Sequence, residues 1–310
     1  MIVTCGEALI DMMPGRTAEG RAAFVPHTGG SIFNVAIALG RLGVPAGFYS
    51  GLSTDIFGTM LRQALSDSHV DHSFARDSAR PTTLAFVQLV NGNARYAFFD
   101  EQSAGRMLTQ DDVPDLPEKV SALHFGSFSL AQSPGGDTLE ALMMREASRR
   151  VISVDPNIRP SLIPDRDAHL LRLARMTGKA DIVKVSDEDL AWIAPGTEMD
   201  AYAERLLQSG VKLVACTRGA EGAVLFTPAR RAEIDVPKIT VADTIGAGDT
   251  FMAGLLAYLY QHSLLTKEGL ATLSSYETGS ALHFASAAAA ITVSRPGADP
   301  PWAHELERQS

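Results

Sequence analysis

The chain runs to 310 residues, 45% of them hydrophobic and 20% charged, enough to bury a large core as one extended α/β domain or one domain with a small appendage. A formal net charge of −9 supplies no basic stripe for a phosphate backbone, which excludes a general nucleic-acid binder, and eight scattered histidines with no His-x-x-x-His pair exclude an ordinary zinc enzyme. No apolar run is long enough to cross a bilayer or to act as a secretory leader, so no membrane partner and a cytoplasmic location are expected.

The first apolar run, Ile2 to Ile10, reads as a strand. Its end, Gly6-Glu7-Ala8-Leu9-Ile10-Asp11, places the Asp11 carboxylate where an open α/β sheet gathers its ligand contacts. Gly29-Gly30-Ser31-Ile32-Phe33-Asn34 then leads into an apolar helix, Asn34 to Leu42, closed by Gly43. Bare backbone at Gly29 and Gly30 lets a ligand hydroxyl approach closely, and Asn34 offers both a donor and an acceptor beside it. An Asn capping the helix start would read the same way. A strand at Ala46 to Leu52 and a helix at Gly58 to Ser68 follow.

Thr82 to Val90 and Ala94 to Phe99 flank Asn91-Gly92-Asn93, a strong antiparallel hairpin signal. A hairpin cannot serve as a crossover between parallel strands, so this one is expected to leave the main sheet. Its returning strand carries Arg95, Phe98 and Phe99, alternating between a face for a ligand or partner subunit and a face for packing. Strands at Ala122 to Phe125, Val151 to Val154, Ile182 to Val185 and Leu213 to Ala215 then alternate with helices at Asp137 to Arg149 and Ala201 to Gln208, which predicts a doubly wound parallel sheet.

Three segments at strand ends carry polar chemistry. Asp155-Pro156-Asn157-Ile158-Arg159 offers a guanidinium that can fork onto anionic oxygens, or simply a surface arginine after a proline turn. Ser186-Asp187-Glu188-Asp189 follows the next strand, and Cys216-Thr217-Arg218-Gly219-Ala220-Glu221-Gly222 joins the next to a strand at Ala223 to Phe226, as a hairpin loop or a ligand turn. Cys5 and Cys216 fall in apolar strand patterns and read as buried free thiols of a reducing compartment.

Asp243-Thr244-Ile245-Gly246-Ala247-Gly248-Asp249 runs straight into the apolar helix Met252 to Leu259. Small residues before a helix present several unpaired amides to one point, where the helix dipole adds partial positive charge. Asp249 would repel an anion bound there, so it points to chemistry: taking a proton from a hydroxyl while the amides stabilise charge on a transferring phosphoryl group. The segment is neither a P-loop, since no Lys-Ser or Lys-Thr follows, nor a dinucleotide fingerprint. The final helical stretch, Ala281 to Ala290, is alanine-rich and predicts close helix packing.

Asp-Thr-x-Gly-Ala-Gly-Asp resembles the C-terminal signature of the PfkB (ribokinase-like) family of carbohydrate kinases, and Gly-Gly-x-x-x-Asn resembles its N-terminal signature. The two lie more than 200 residues apart in the expected order. The resemblance implies a single ribokinase-like α/β domain over 1–310: a doubly wound, mainly parallel sheet flanked by helices, with a small β-sheet lid from roughly 12–26 and 80–103. It implies Asp249 as catalytic base with the Gly246, Ala247 and Gly248 amides on the transferring phosphate. Asp11, Gly29, Gly30, Asn34, Arg95, Phe98 and Arg159 are implied as sugar contacts, and Thr217, Gly219, Gly222 and Ser286 as nucleotide contacts. Ser186 and Asp189 stand where many members have Asn-x-x-Glu, a pair tied to magnesium and phosphate placement.

By the same resemblance the cofactors are ATP and Mg2+, with K+ at the Asp243 and Ile245 carbonyls, and a homodimer can form through the lid. Gly-Glu-x-Leu-Ile-Asp and Asp-Pro-Asn-Ile-Arg resemble the fructokinase and 2-keto-3-deoxygluconate kinase branch. Fructose is therefore the expected acceptor, with 2-keto-3-deoxygluconate and an adenosine-type nucleoside as alternatives. Outside sugar kinases, a catalytically inactive sugar-binding regulator is disfavoured by the intact Asp249. A Rossmann dehydrogenase is disfavoured by the missing glycine fingerprint.

Overall fold

The computed structural model describes residues 1–90, 93–235 and 239–307, with the backbone alone at 88–90 and 93–96. Its centre is a nine-stranded sheet. From Ile2–Cys5 the sheet extends one way through Ala46–Tyr49 to Val70–Asp71, and the other way through Ala122–Gly126, Val151–Asp155, Ile182–Ser186 and Leu213–Thr217, all parallel. Ala223–Thr227 and Arg230–Ile234 close that edge antiparallel. The order reverses between Ile2–Cys5 and Ala122–Gly126, the switch point at which such sheets open a crevice at the carboxyl ends of their strands.

Both faces of the sheet are covered, so its inner strands are apolar along their length rather than alternating. Ile2, Ile182 and Leu213 pack on one face under helices Ser31–Arg41, Ile56–Asp67, Ala247–Gln261 and Ser275–Val293. Val3, Val183 and Val214 pack on the other under Gly135–Glu146, Arg166–Thr177 and Met199–Gln208. Helix Ser31–Arg41 ends as its sequence predicts, with Gly43 at φ +77° and the Val44 amide donating back to Leu39.

The first predicted strand is corrected. Ile2–Cys5 belongs to the main sheet, but the chain leaves it at Gly6–Ala8 and re-forms as Leu9–Arg16 in a second sheet. Ala46 to Leu52 likewise divides into Ala46–Tyr49 and Gly51–Ser53. Hydrophobic runs mark burial, not which sheet buries them. The Gly6 break has a local cause, since a Cβ there would sit 2.7 Å from Ile32 and 2.8 Å from Ser129.

The second sheet has four strands in the order Ala22–Gly29, Leu9–Arg16, Thr83–Val90, Asn93–Phe99, with a parallel central pair between two antiparallel ones. It takes in Leu9 and Gly29, beyond the expected 12–26. The Asn91-Gly92 turn lies outside the described residues. His27, Asp11, Ala85 and Phe98 form one cross-strand row and therefore share a face. That face meets the main domain, where Phe98 packs 5.7 Å from Phe128. The opposite face carries Phe24, Phe86 and Phe99 in edge-to-face contact, with Phe24 and Phe99 exposed.

The alanine-rich helix packs as its composition predicts. Gly254 of Ala247–Gln261 faces Ser275–Val293 so closely that a Cβ would come 2.9 Å from the Ala285 Cα and 3.4 Å from the Ala288 Cβ. Gly254→Val must push the two helices apart and is expected to cost about 1–3 kcal/mol, the range for overpacking a core. A lowered denaturation midpoint checks this, and an unchanged midpoint contradicts the close approach.

Candidate active site

Two glycines in the left-handed region start the two helices that build the site. Gly246 at φ +75° caps Ala247–Gln261, and Gly30 at φ +105° caps Ser31–Arg41. At Gly246 a Cβ would also come 2.8 Å from the Ala298 Cβ, so conformation and space both require glycine. Asp243 braces this turn, accepting from the Ile245 amide at 3.1 Å and the Gly297 amide at 2.9 Å. The Ala247 amide turns back to the Thr244 carbonyl at 3.3 Å, whereas among the described residues those of Gly248 and Asp249 have no backbone acceptor. They are the amides left to face an anion.

Asp249 occupies the third position of its helix and is buried. Ser31 Oγ donates to its Oδ1 at 2.6 Å and Asn34 Nδ2 to its Oδ2 at 2.9 Å. Asn157 Nδ2 in turn donates to Ser31 Oγ at 2.6 Å. Each carboxylate oxygen thus receives one bond that fixes its direction and keeps a lone pair for a proton. Asn34 does not cap its helix; its amide nitrogen donates to Asp249, and among the described residues its carbonyl oxygen has no hydrogen-bond partner.

Asp11 comes to this site from the second sheet, not from the end of the first strand. Its carboxylate lies against Gly29, where a Cβ would run into it. Burial, followed by the nearby charge of Asp249, raises its pKa to about 6. Beneath the paired glycines Glu7 is buried, with Oε1 accepting weakly from the Ile32 amide at 3.4 Å. Burial lifts its pKa to about 7 against the bonds from its own backbone, Ser127, Ser129 and Ile32.

The carboxyl ends of Val151–Asp155 and Ile182–Ser186 add a buried ion pair, Lys184 Nζ to Asp155 Oδ2 at 2.8 Å. Burial opposes the charge on Lys184, but Asp155, Asp189 and Asp249 outweigh it and hold the ammonium pKa above its usual value. Asp189 is committed locally: Oδ2 accepts from the Ser186 amide and hydroxyl in a capping box, and Oδ1 from the Ile158 amide.

The structure therefore gathers Asp249, Gly248, Gly29, Gly30, Asn34 and Asp11. Gly246 and Ala247 form the turn at the same helix start, and Phe98 shares a sheet face with Asp11. Thr217 ends Leu213–Thr217 on the same carboxyl edge, in register with Ser186. Gly219 lies in open space at φ +51°, whereas Gly222 is required by the Ile234 carbonyl, which a Cβ would strike. Ser286 lies half-buried on Ser275–Val293. Arg159 is exposed and donates to the Ile158 carbonyl. The side chain of Arg95 lies outside the described residues. Ser31, Asn157, Asp155 and Lys184 are the residues the sequence reading missed. All four flank or fall within segments it had marked, but their partners lie 29 to 218 positions away.

A carboxylate with oriented lone pairs at an anion-binding helix start, beside a second carboxylate suited to hydroxyls, defines a phosphotransferase site acting on a polyol. The family described as "pfkB family carbohydrate kinase" matches residues 1–305, and the chain belongs to it. It is 53% identical over 273 residues to a fructokinase of Rhizobium leguminosarum bv. trifolii, covering 88% of this chain and 84% of that one. Among solved structures it resembles a fructokinase with bound ATP from Xylella fastidiosa, with a TM-score of 0.89, 27% identity and coverage of 99% of this chain and 98% of that one. It also resembles a Vibrio cholerae O395 fructokinase double mutant bound to fructose, ADP and potassium, with a TM-score of 0.82, 25% identity and coverage of 96% and 93%.

Gly246→Ala combines a left-handed backbone with the Ala298 contact, and the backbone strain alone is expected to cost about 1–2 kcal/mol. Chemical denaturation checks this. A neutral substitution would mean that the turn tolerates a side chain.

Proposed function

We propose that this carbohydrate kinase is a fructokinase, transferring the γ-phosphoryl group of ATP to a primary hydroxyl of fructose. The observation that carries the reading is the buried Asp249 carboxylate, held by Ser31 and Asn34 at the start of a fifteen-residue helix where, among the described residues, the Gly248 and Asp249 amides have no backbone acceptor. A carboxylate there opposes simple anion binding but suits proton removal from an attacking hydroxyl. The amides and the helix dipole stabilise charge on the phosphoryl group it attacks. Asp11, the bare backbone of Gly29 and the free Asn34 oxygen supply complementary groups for further hydroxyls. Fructose itself comes from the relatives described above.

Among the described residues no group of three or more His, Cys, Asp or Glu is arranged to hold a metal ion, and Asp189 is spent on its capping box. The site thus fits Mg2+ carried on the nucleotide phosphates, whose charge it would offset, rather than caged by side chains. K+ fits beside the Asp243–Gly246 turn, whose Asp243 carboxylate is already committed to two amides, leaving neutral carbonyls as ligands. Thr217 and Gly219, on the carboxyl edge, are read as nucleotide contacts, and Phe98 and Arg159 as sugar contacts.

The second sheet is read as a lid that excludes water from the reacting phosphate. Its row of Phe24, Phe86 and Phe99, in which Phe24 and Phe99 are exposed, is read as the homodimer surface, which sedimentation of a Phe24→Ser/Phe99→Ser variant tests. No helix among the described residues is long and apolar enough to cross a membrane. The buried free thiols of Cys5 and Cys216 suit a cytoplasmic enzyme.

A coupled assay with ATP and fructose, 2-keto-3-deoxygluconate, ribose and adenosine tests the substrate assignment, and preferred phosphorylation of anything but fructose overturns it. Asp249→Asn is expected to lower kcat by about 10²–10⁴-fold while leaving ATP affinity similar or better, as loss of a general base requires. Turnover near wild type would remove Asp249 from the role.

Asp11 gives the pH dependence. Its ionised form accepts from sugar hydroxyls, and its raised pKa of about 6 means that this form is lost as pH falls through that value. Fructose affinity measured by calorimetry is expected to weaken below about pH 6, and the limb should move to lower pH in Asp249→Asn, which removes the neighbouring negative charge. Affinity that stays flat from about pH 7.5 to 5 would remove Asp11 from the sugar site.

A further inference from the structure

The site described above has an unbalanced charge. Asp11, Asp155, Asp189 and Asp249 converge on the region where a polyanionic nucleotide must bind, and the chain as a whole carries −9. Amides supply partial charges only. A full positive charge reaches the start of helix Ala247–Gln261 from Lys184, the middle residue of strand Ile182–Ser186.

Its position is specific. A Cβ built on Gly248 would lie 3.3 Å from Lys184 Nζ and 3.6 Å from Cε, so the tip of the lysine rests beside the residue whose amide faces the anion site. The side chain is 5% exposed and reaches this point in the grip of Asp155. An ammonium has three donors. Among the described residues Asp155 Oδ2 takes one, and no other acceptor meets the remaining two. Asp155 Oδ1 is also buried without a hydrogen-bond partner. A buried ion pair serving stability alone would satisfy these groups, because taking two charges out of water is repaid only when the remaining donors and lone pairs are bonded. Here donors remain, beside an anion hole.

We propose that Lys184 is the cationic arm of the anion hole: steered by Asp155, its ammonium donates to a non-bridging oxygen of the transferring phosphoryl group. Asp155 is then a positioning residue, holding the lysine between the strand ends and Gly248. The inference rests on the kinase reading and adds to it a cation supplied by the protein itself. No bond to Lys184 forms or breaks. The ammonium stays protonated while negative charge shifts onto the β-phosphate of the leaving ADP.

Lys184→Met keeps the length and removes the charge. It is expected to lower kcat by about 10²–10³-fold, the usual loss on removing one preorganised donor from a developing anion. It should weaken ATP by about tenfold or more while leaving ADP within about twofold, since only ATP carries the group addressed. A trapped complex with ADP, fluoroaluminate and fructose should be lost with it. Because Lys184→Met leaves Asp155 buried and unpaired, Lys184→Met/Asp155→Asn serves as the second variant. It should recover the melting temperature but not kcat.

Recovery of wild-type kcat in the double variant, or equal weakening of ATP and ADP in Lys184→Met, would show a structural pair and overturn the proposal. Wild-type protein that phosphorylates no sugar would instead overturn the kinase reading. The ATP-to-ADP affinity ratio of the two variants would still report on the lysine.

Discussion

The contact between Ser31 and Asp249 joins residues 218 positions apart, and the site depends on it. It can form only because helices Ser31–Arg41 and Ala247–Gln261 lie side by side in the same apolar cluster with their first turns together. Each of those turns begins on a left-handed glycine, and each holds a carboxylate against its partial positive charge: Glu7 beneath the Ile32 amide and Asp249 within its own helix. Packing of apolar faces thus fixes the distance between two polar ends. A core change that slid one helix along the other would break the Ser31 and Asn34 bonds to Asp249 before it exposed any apolar surface.

Electrostatics in the site run against the net charge of the chain. Carboxylates outnumber cations around the helix start, and the structure manages this by saturating most of them. Asp189 accepts three bonds, Asp243 two, and Asp249 two. Asp155 is held by Lys184, and burial with the charges of Asp189 and Asp249 still lifts its pKa to about 6. Asp11 is the carboxylate of the site with no hydrogen bond from the described residues, and its pKa is raised in the same way. A group so placed has its acceptor capacity free for a ligand.

Much of this was legible in sequence where local chemistry decides it. The glycine runs before Asn34 and Asp249 predict backbone approach and helix starts, and the structure places a positive-φ glycine at each. Alternation of apolar and helical segments gives the parallel sheet, and the antiparallel pair Thr83–Val90 and Asn93–Phe99 lies outside it as the hairpin signal predicts. What was not legible is pairing. A lone lysine inside Ile-Val-Lys-Val reads as a strand residue with its head in solvent, and nothing local tells that the adjacent strand ends in Asp155 or that Gly248 lies above both. Gly222 shows another long-range demand, since the Ile234 carbonyl leaves no room for a side chain there and nothing in the local turn tells of it. The split of Ile2 to Ile10 escaped because burial in either sheet demands the same apolar residues.

That split has a functional consequence. It moves Asp11 off the rigid sheet and onto the four-stranded one, in a row with Ala85 and Phe98, while Asp249 stays on the main domain. Asp249, proposed as the proton acceptor, and Asp11, proposed to recognise hydroxyls, thus belong to the main domain and to the second sheet respectively, and after burial the charge of Asp249 is what raises the pKa of Asp11. With no ligand between them, that repulsion favours separation of the two sheets. On the lid reading proposed above, a sugar that donated hydroxyl hydrogens to both carboxylates would reverse the sign of that interaction and favour closure of the small sheet over the helix start. Water, with no fixed spacing between donors, satisfies each carboxylate separately and gives no such bias. Such coupling would keep ATP from meeting an organised base before a sugar is present, with the two carboxylates and the glycine backbone between them as its working parts.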